Sequence, residues 1–89
     1  MDAYKLRLKA SAAKEIDALP TRADRQRVVS RIAELAVNPR PVGSEKLAGH
    51  ADRYRIRQGN YRIVYAVDDQ ERSVVVFKVG HRKDVYRST

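Results

Sequence analysis

A small α+β domain is predicted, built as an N-terminal strand, a helical hairpin and then an antiparallel three-stranded meander, in the order β-α-α-β-β-β. Three observations predict it. Tyr4 to Leu8 alternates, apolar residues recur at helical spacing between Ser11 and Asn38, and a period-two pattern from Arg53 onward is broken by Gly59-Asn60. With 89 residues the chain is expected to form one domain over 1–89.

In the first strand Tyr4, Leu6 and Leu8 share one face and Lys5 and Arg7 the other, the pattern of a half-buried edge strand. Ser11 is the expected N-cap of a helix to about Leu19, with Ala12, Ile16 and Leu19 on one stripe and Pro20 as its stop. Thr21 followed by Asp24 resembles a capping box. Val28, Ile32, Leu35 and Ala36 then supply the apolar stripe of a second helix that ends at Asn38-Pro39. Residues 38–52 hold Pro39, Pro41, Gly43 and Gly49 and read as an irregular connection.

Gly59-Asn60 is a two-residue hairpin turn, which fixes the register by arithmetic. Gln58 falls opposite Tyr61, Arg57 opposite Arg62, Ile56 opposite Ile63, Arg55 opposite Val64 and Tyr54 opposite Tyr65. One face thus carries Tyr54, Ile56, Tyr61, Ile63, Tyr65 and Val67 and suits the core; the other carries Arg53, Arg55, Arg57 and Arg62. Asp68 to Arg72 turns into a third strand, Ser73 to Val79. A five-residue loop puts Lys78 in a row with Arg62 and Arg57 and sends Val75, Phe77 and Val79 to the core. A loop one residue shorter reverses this.

The 19 Lys and Arg against 11 Asp and Glu leave a net charge of +8. Seven of the eight charges fall in two segments: 53–65, where four arginines meet no acid, and 78–87, where Lys78, Arg82, Lys83 and Arg87 meet only Asp84. Such focused charge favours a polyanionic partner. Arg22, Arg25, Arg27 and Arg31 instead alternate with Asp24 and Glu34, as on a solvated helix face. With no cysteine and only His50 and His81, a metal cage is not expected, nor any cofactor. The longest apolar runs, such as Ile63 to Val67, are far too short to span a bilayer, so no membrane partner is expected. The N-terminal Met1-Asp2-Ala3-Tyr4-Lys5 lacks the features of a secretory signal, and a cytoplasmic location is expected.

Like charges directly opposite on a sheet are destabilising, so Arg57 facing Arg62 asks for an explanation. Long arginines splaying into water are one answer, because screening leaves a cost of only a few tenths of a kcal/mol. A guanidinium cluster without acids also matches phosphate oxygens bidentately, and Arg55, Arg82 and Lys78 in the same neighbourhood favour that second answer. Beyond the third strand, Val79-Gly80-His81-Arg82-Lys83-Asp84-Val85-Tyr86 adds a histidine and a tyrosine, a set able to stack a base, bind phosphate and exchange protons. Taken singly, His81 reads as a surface histidine, Arg82 as a partner of Asp84 and Tyr86 as an aromatic anchor.

At Glu45-Lys46-Leu47-Ala48-Gly49, Tyr54-Arg55-Ile56-Arg57, Gly59-Asn60-Tyr61-Arg62-Ile63-Val64-Tyr65 and Val79 to Tyr86, the sequence resembles the RelE/ParE superfamily of bacterial toxin-antitoxin toxins, the RelE branch more closely. That resemblance implies an endoribonuclease, independent of metal, that cuts messenger RNA in the ribosomal A site. It also implies a cognate antitoxin that holds the nuclease inactive. The family's catalytic positions fall on Arg55, Arg57, Arg62, Arg82 and Tyr86; Arg53, Lys78, Lys83 and Arg87 are expected to hold RNA. In the implied reaction the 2′-hydroxyl attacks the adjacent phosphate and a 2′,3′-cyclic phosphate forms.

Many RelE-type toxins carry lysine where this chain has Arg55 and Arg57, and arginine, with a pKa above ~12, does not serve as a general base at neutral pH. Tyr86 ranks first for proton transfer on resemblance, and His81 second on chemistry. Two other functions compete: a ParE-like inhibitor of DNA gyrase without nuclease activity, and a non-catalytic RNA or ribosome binder.

Overall fold

The computed structural model describes residues 3–81, and Arg82, Lys83, Tyr86 and Arg87 lie outside the described residues. The elements run β1 (Lys5–Leu8), α1 (Ala10–Asp17), α2 (Arg22–Val37), β2 (Glu45–Lys46), β3 (Arg53–Gln58), β4 (Tyr61–Asp68) and β5 (Ser73–His81). They form one five-stranded sheet in the order β1-β5-β4-β3-β2, with β1 parallel to β5 and the other pairings antiparallel. Ala12, Ile16, Val28, Ile32 and Leu35 of the two helices pack on Ile56, Ile63, Tyr65, Val67, Val74, Val76 and Val79 of the sheet. Both helices therefore cover a single face, and among the described residues no helix lies on the other.

Thr21 caps α2 as expected, its side-chain oxygen accepting the Asp24 N–H at 3.0 Å. Ser11 does not cap α1. The cap position is Lys9, which is extended and offers no side-chain bond, and its own N–H donates to the Val76 carbonyl at 2.9 Å. The junction with β5 sets the start of that helix. Its end comes at Asp17, although Leu19 is still buried with the core. β1 lies at the sheet edge, with Leu6 and Leu8 partly exposed at 38% and 45%.

The hairpin register is as the two-residue turn dictates, including Arg57 opposite Arg62, and Gly59 takes a positive φ of 60°. The connection before the hairpin is not wholly irregular. Within 38–52 a short strand exists, β2, whose Glu45 lies opposite Arg55; two residues are too few for any period to reveal.

Of the two loop lengths left open, β5 follows the shorter: Asp68 pairs with Ser73, only residues 69–72 lie between them, and Val74 and Val76 enter the core in place of Val75 and Phe77. Tyr65 then pairs with Val76 and Val64 with Lys78, which leaves Phe77 as the extra residue of a β-bulge. The bulge restores Val79 to the core and places Lys78 opposite Val64; Gly80 takes the place opposite Arg62.

Candidate nucleic-acid interface

Alternation along β3 and β4 places Arg53, Arg55, Arg57 and Arg62 on the sheet face that the helices leave bare, since Tyr54, Ile56, Ile63 and Tyr65 take the packed one. Arg57 is exposed and makes no ion pair with a described residue, whereas Arg62 is 4% exposed, the buried charged side chain among the described residues. Two guanidiniums at directly paired positions therefore stand at the hairpin end, one solvated and one desolvated. A buried cation interacts through a lower effective dielectric than a solvated one, so the two guanidiniums are not electrostatically equivalent.

The face is not free of acid. Arg55 Nη2 donates to Glu45 Oε2 at 3.1 Å, a contact that the missed strand β2 creates. Arg55 is only 20% exposed and Glu45 63%, so the carboxylate holds the guanidinium from its solvent side. Lys78 stays on this face but meets an acid from the helix layer, with Nζ 4.0 Å from Glu15 Oε2. The other Glu15 oxygen accepts the Val79 N–H at 2.9 Å; Val79 lies in the stretch of β5 that β1, paired only as far as Val76, leaves at the sheet edge.

His81 does not join the arginines. Its register partner is Tyr61, with ring centroids 6.1 Å apart and edge to face, and Tyr61 in turn donates to Asp24 Oδ2 of α2 at 3.1 Å. Burial and that carboxylate push the Tyr61 phenol above its ordinary value. The histidine thus ends β5 on the helix-packed side.

Sequence reasoning missed a second polar constellation, at the opposite end of the sheet. Arg40 donates through Nη1 and Nη2 to both oxygens of Asp69, at 3.1 and 2.9 Å, and through Nε to the Tyr54 hydroxyl at 2.9 Å. Tyr4 donates to Asp69 Oδ1 at 2.7 Å. The Arg40 guanidinium, and after it the Tyr4 hydroxyl, hold the Asp69 carboxyl below the usual carboxylate range, while Asp69 raises both Arg40 and Tyr4. Four residues from four separate segments meet there, and nothing local in the sequence signals it.

Among the described residues no group of three or more His, Cys, Asp or Glu is placed to hold a metal ion, and no helix is long and apolar enough to cross a membrane.

Comparison with known proteins agrees with this architecture. The isolated RelE toxin of E. coli superposes with a TM-score of 0.77 at 33% identity, covering 97% of this chain and 94% of that one. The toxin-antitoxin complex RelBE2 of Mycobacterium tuberculosis is similar at a TM-score of 0.75 and 29% identity, covering 92% of this chain and 94% of the matched one. Toxin RelG of the same organism is 32% identical over 84 residues, which are 94% of this chain and 97% of that toxin. Residues 6–86 match the family model described as the ParE toxin of the type II toxin-antitoxin system, parDE. A match over so much of the chain, joined to relatives that carry the RelE name, settles the family: this chain belongs to the RelE/ParE superfamily, the toxins of type II toxin-antitoxin systems.

Proposed function

We propose that this toxin is an endoribonuclease that cuts messenger RNA in the ribosomal A site by attack of a 2′-hydroxyl on the adjacent phosphate, without need of a metal ion. One observation carries the reading: Arg57 and Arg62 at paired positions on the sheet face that the helices leave bare, with Arg55 next along that face of β3 and Arg53 at the strand's other end. Guanidiniums fixed where phosphoryl charge develops act as preorganised donors, each worth ~3–4 kcal/mol by analogy with oxyanion holes. Arg62 fits that role through its burial, and Arg82 is assigned to it from the sequence. Glu45 makes Arg55 a guanidinium of fixed direction, suited to orienting RNA.

The proton of the 2′-hydroxyl needs an acceptor other than arginine. His81 sits on the Tyr61 side of the sheet, so Tyr86 is the assigned base. The E. coli RelBE structure, at a TM-score of 0.76 and 33% identity, is a toxin-antitoxin complex. For the present chain the corresponding partner is a cognate antitoxin with an acidic segment complementary to the arginine face, and the ribosome presents the message.

The test is primer extension on messages translated by purified ribosomes in the presence of the toxin. Breaks at fixed codon positions with 2′,3′-cyclic phosphate ends are expected, and Tyr86→Phe should lower their rate by orders of magnitude. The ParE description of the matching family model favours a second reading, inhibition of DNA gyrase. Loss of supercoiling activity without message breaks would establish it in place of the first. Neither effect, together with retained RNA affinity, would leave a non-catalytic binder.

A further inference from the structure

Phe77 is the residue that the bulge in β5 leaves without a cross-strand partner, and it is half-buried and outside the core. Arg53 lies two strands away in β3, with β4 between, and its guanidinium carbon nevertheless stands 4.2 Å from the Phe77 ring centroid. The β4 residue paired with Arg53 is Ala66, small enough for the long side chain to pass over it. Because Arg53 alternates with core-facing Tyr54, the ring it covers lies on the bare face as well. Lys9 also stands over this ring, with Nζ 5.4 Å from the centroid. Arg7, exposed on β1, lies opposite Val75, two residues along β5 from Phe77.

We infer that Phe77, with Arg53 and Lys9 over its ring and Arg7 beside it, forms a second subsite for single-stranded RNA, apart from the Arg57 and Arg62 row. This rests on the nuclease reading for what the bound RNA is, though not for whether it binds. Arg53 and Arg57 are four residues apart on one strand, about 13 Å, so the nucleotide held here is not the one cut. Single-stranded RNA is recognised by flat rings and guanidinium planes on which bases stack, flanked by cations that take the phosphates. A guanidinium held against a phenyl ring keeps one plane free for a base and loses little freedom on binding. An acidic peptide would need the charges but not the ring. The subsite is bounded on the other side by Asp68 and Glu71, which share a surface hollow of about 510 Å³ with Lys5 and Arg7 and repel a phosphate there.

The test uses the full chain and a fluorescein-labelled, 2′-O-methylated 12-nucleotide RNA, which binds but is not cut. Anisotropy is read against salt for wild type, Phe77→Leu, Phe77→Tyr and Arg53→Gln, with thermal melts confirming that each is folded. Phe77→Leu keeps an apolar cover for the Arg53 and Lys9 stems but removes the flat ring. It should weaken binding about 10-fold with the salt slope unchanged, while Phe77→Tyr stays within about 2-fold of wild type. Arg53→Gln should weaken binding and reduce the slope of log affinity against log salt by about one. Equal affinities for folded Phe77→Leu and wild type overturn the subsite, whatever the ribosome assay shows. So does retained RNA affinity with loss of antitoxin copurification, which would make the patch a protein contact. If wild type leaves messages intact but Phe77→Leu still loses affinity, the subsite stands and the nuclease reading falls.

Discussion

Arg40 meets Asp69 through two hydrogen bonds and Tyr54 through a third at the loop end of the sheet, whereas at the hairpin end Arg57 faces Arg62 with no carboxylate anywhere between residues 53 and 65. Both ends combine arginines with tyrosines. At the loop end the clustered groups meet one another inside the molecule: Tyr4 and Arg40 converge on one carboxylate, the Arg72 guanidinium lies 4.9 Å from the Tyr4 ring centre, and Tyr54 stacks on Tyr65 with centroids 5.8 Å apart. At the hairpin end the fold places two cations side by side at paired positions, where like charges cost stability. Composition does not separate the two ends. Placement does: the loop end joins its cations to a carboxylate in a clamp, the hairpin end sets two cations at paired positions, and Arg55, held by Glu45, combines the two arrangements.

The comparison breaks first at Arg62. Arg62→Ala should lower message cleavage on programmed ribosomes by ~10²–10³, the cost of removing one preorganised donor. A drop of less than about 3-fold would put Arg62 with the clamp, as a structural cation. Next in size is Tyr65→Phe, which removes the hydroxyl that donates to the Pro39 carbonyl at 2.7 Å beneath the loop-end cluster. An acceptor left unsatisfied in a buried position costs ~1–3 kcal/mol, which for a domain of this size lowers Tm by roughly 4–8 °C per kcal/mol. Burial already pushes that phenol above its ordinary value, in keeping with an enclosed site. Cleavage by Tyr65→Phe at a temperature where it is folded should match wild type, since the bond lies in the core. Smaller still is Arg57→Gln, for which the sign is the informative part. Relieving the like-charge pair should raise stability by a few tenths of a kcal/mol in low salt, and cleavage should fall. Destabilisation instead would show that the pair is not strained and would remove the physical reason for treating it as a site.

What the sequence reveals follows the same division. The hairpin was legible because a two-residue turn leaves one register, and alternation then sorts Arg55, Arg57 and Arg62 from Ile56, Ile63 and Tyr65. The second helix was legible through Thr21 and its apolar stripe. The existence of β5 was legible but its register was not, because alternation carries across a bulge only if the bulge is known, and Val74 to Phe77 reads as an unbroken apolar run that suits either register. That ambiguity misplaced Lys78 and hid Phe77. The loop-end clamp was illegible for another reason: Tyr4 and Asp69 stand 65 residues apart and Arg40 and Asp69 stand 29 apart, and each alone is an ordinary surface residue.

Asp69 supplies the last and smallest way to sharpen the comparison, through pH. Its carboxyl is held below the usual range, chiefly by Arg40 and then by Tyr4, so the folded state binds that proton less readily than the unfolded chain. A carboxyl with a depressed folded-state pKa contributes stability that is present above the unfolded value of ~3.9 and is lost as pH falls through the folded value. Asp69→Asn keeps an oxygen for Tyr4 but has no proton to release. The stability gap between wild type and Asp69→Asn should therefore be widest above about pH 5 and close as pH falls from about 4 toward 2, read from urea midpoints across that range. At neutral pH the variant should still cleave messages, because the clamp and the arginine row sit at opposite ends of β4. A gap that stays constant to pH 2 would mean that the Asp69 side chain acts by shape and hydrogen bonding alone, and that its charge does not hold the loop-end clamp together.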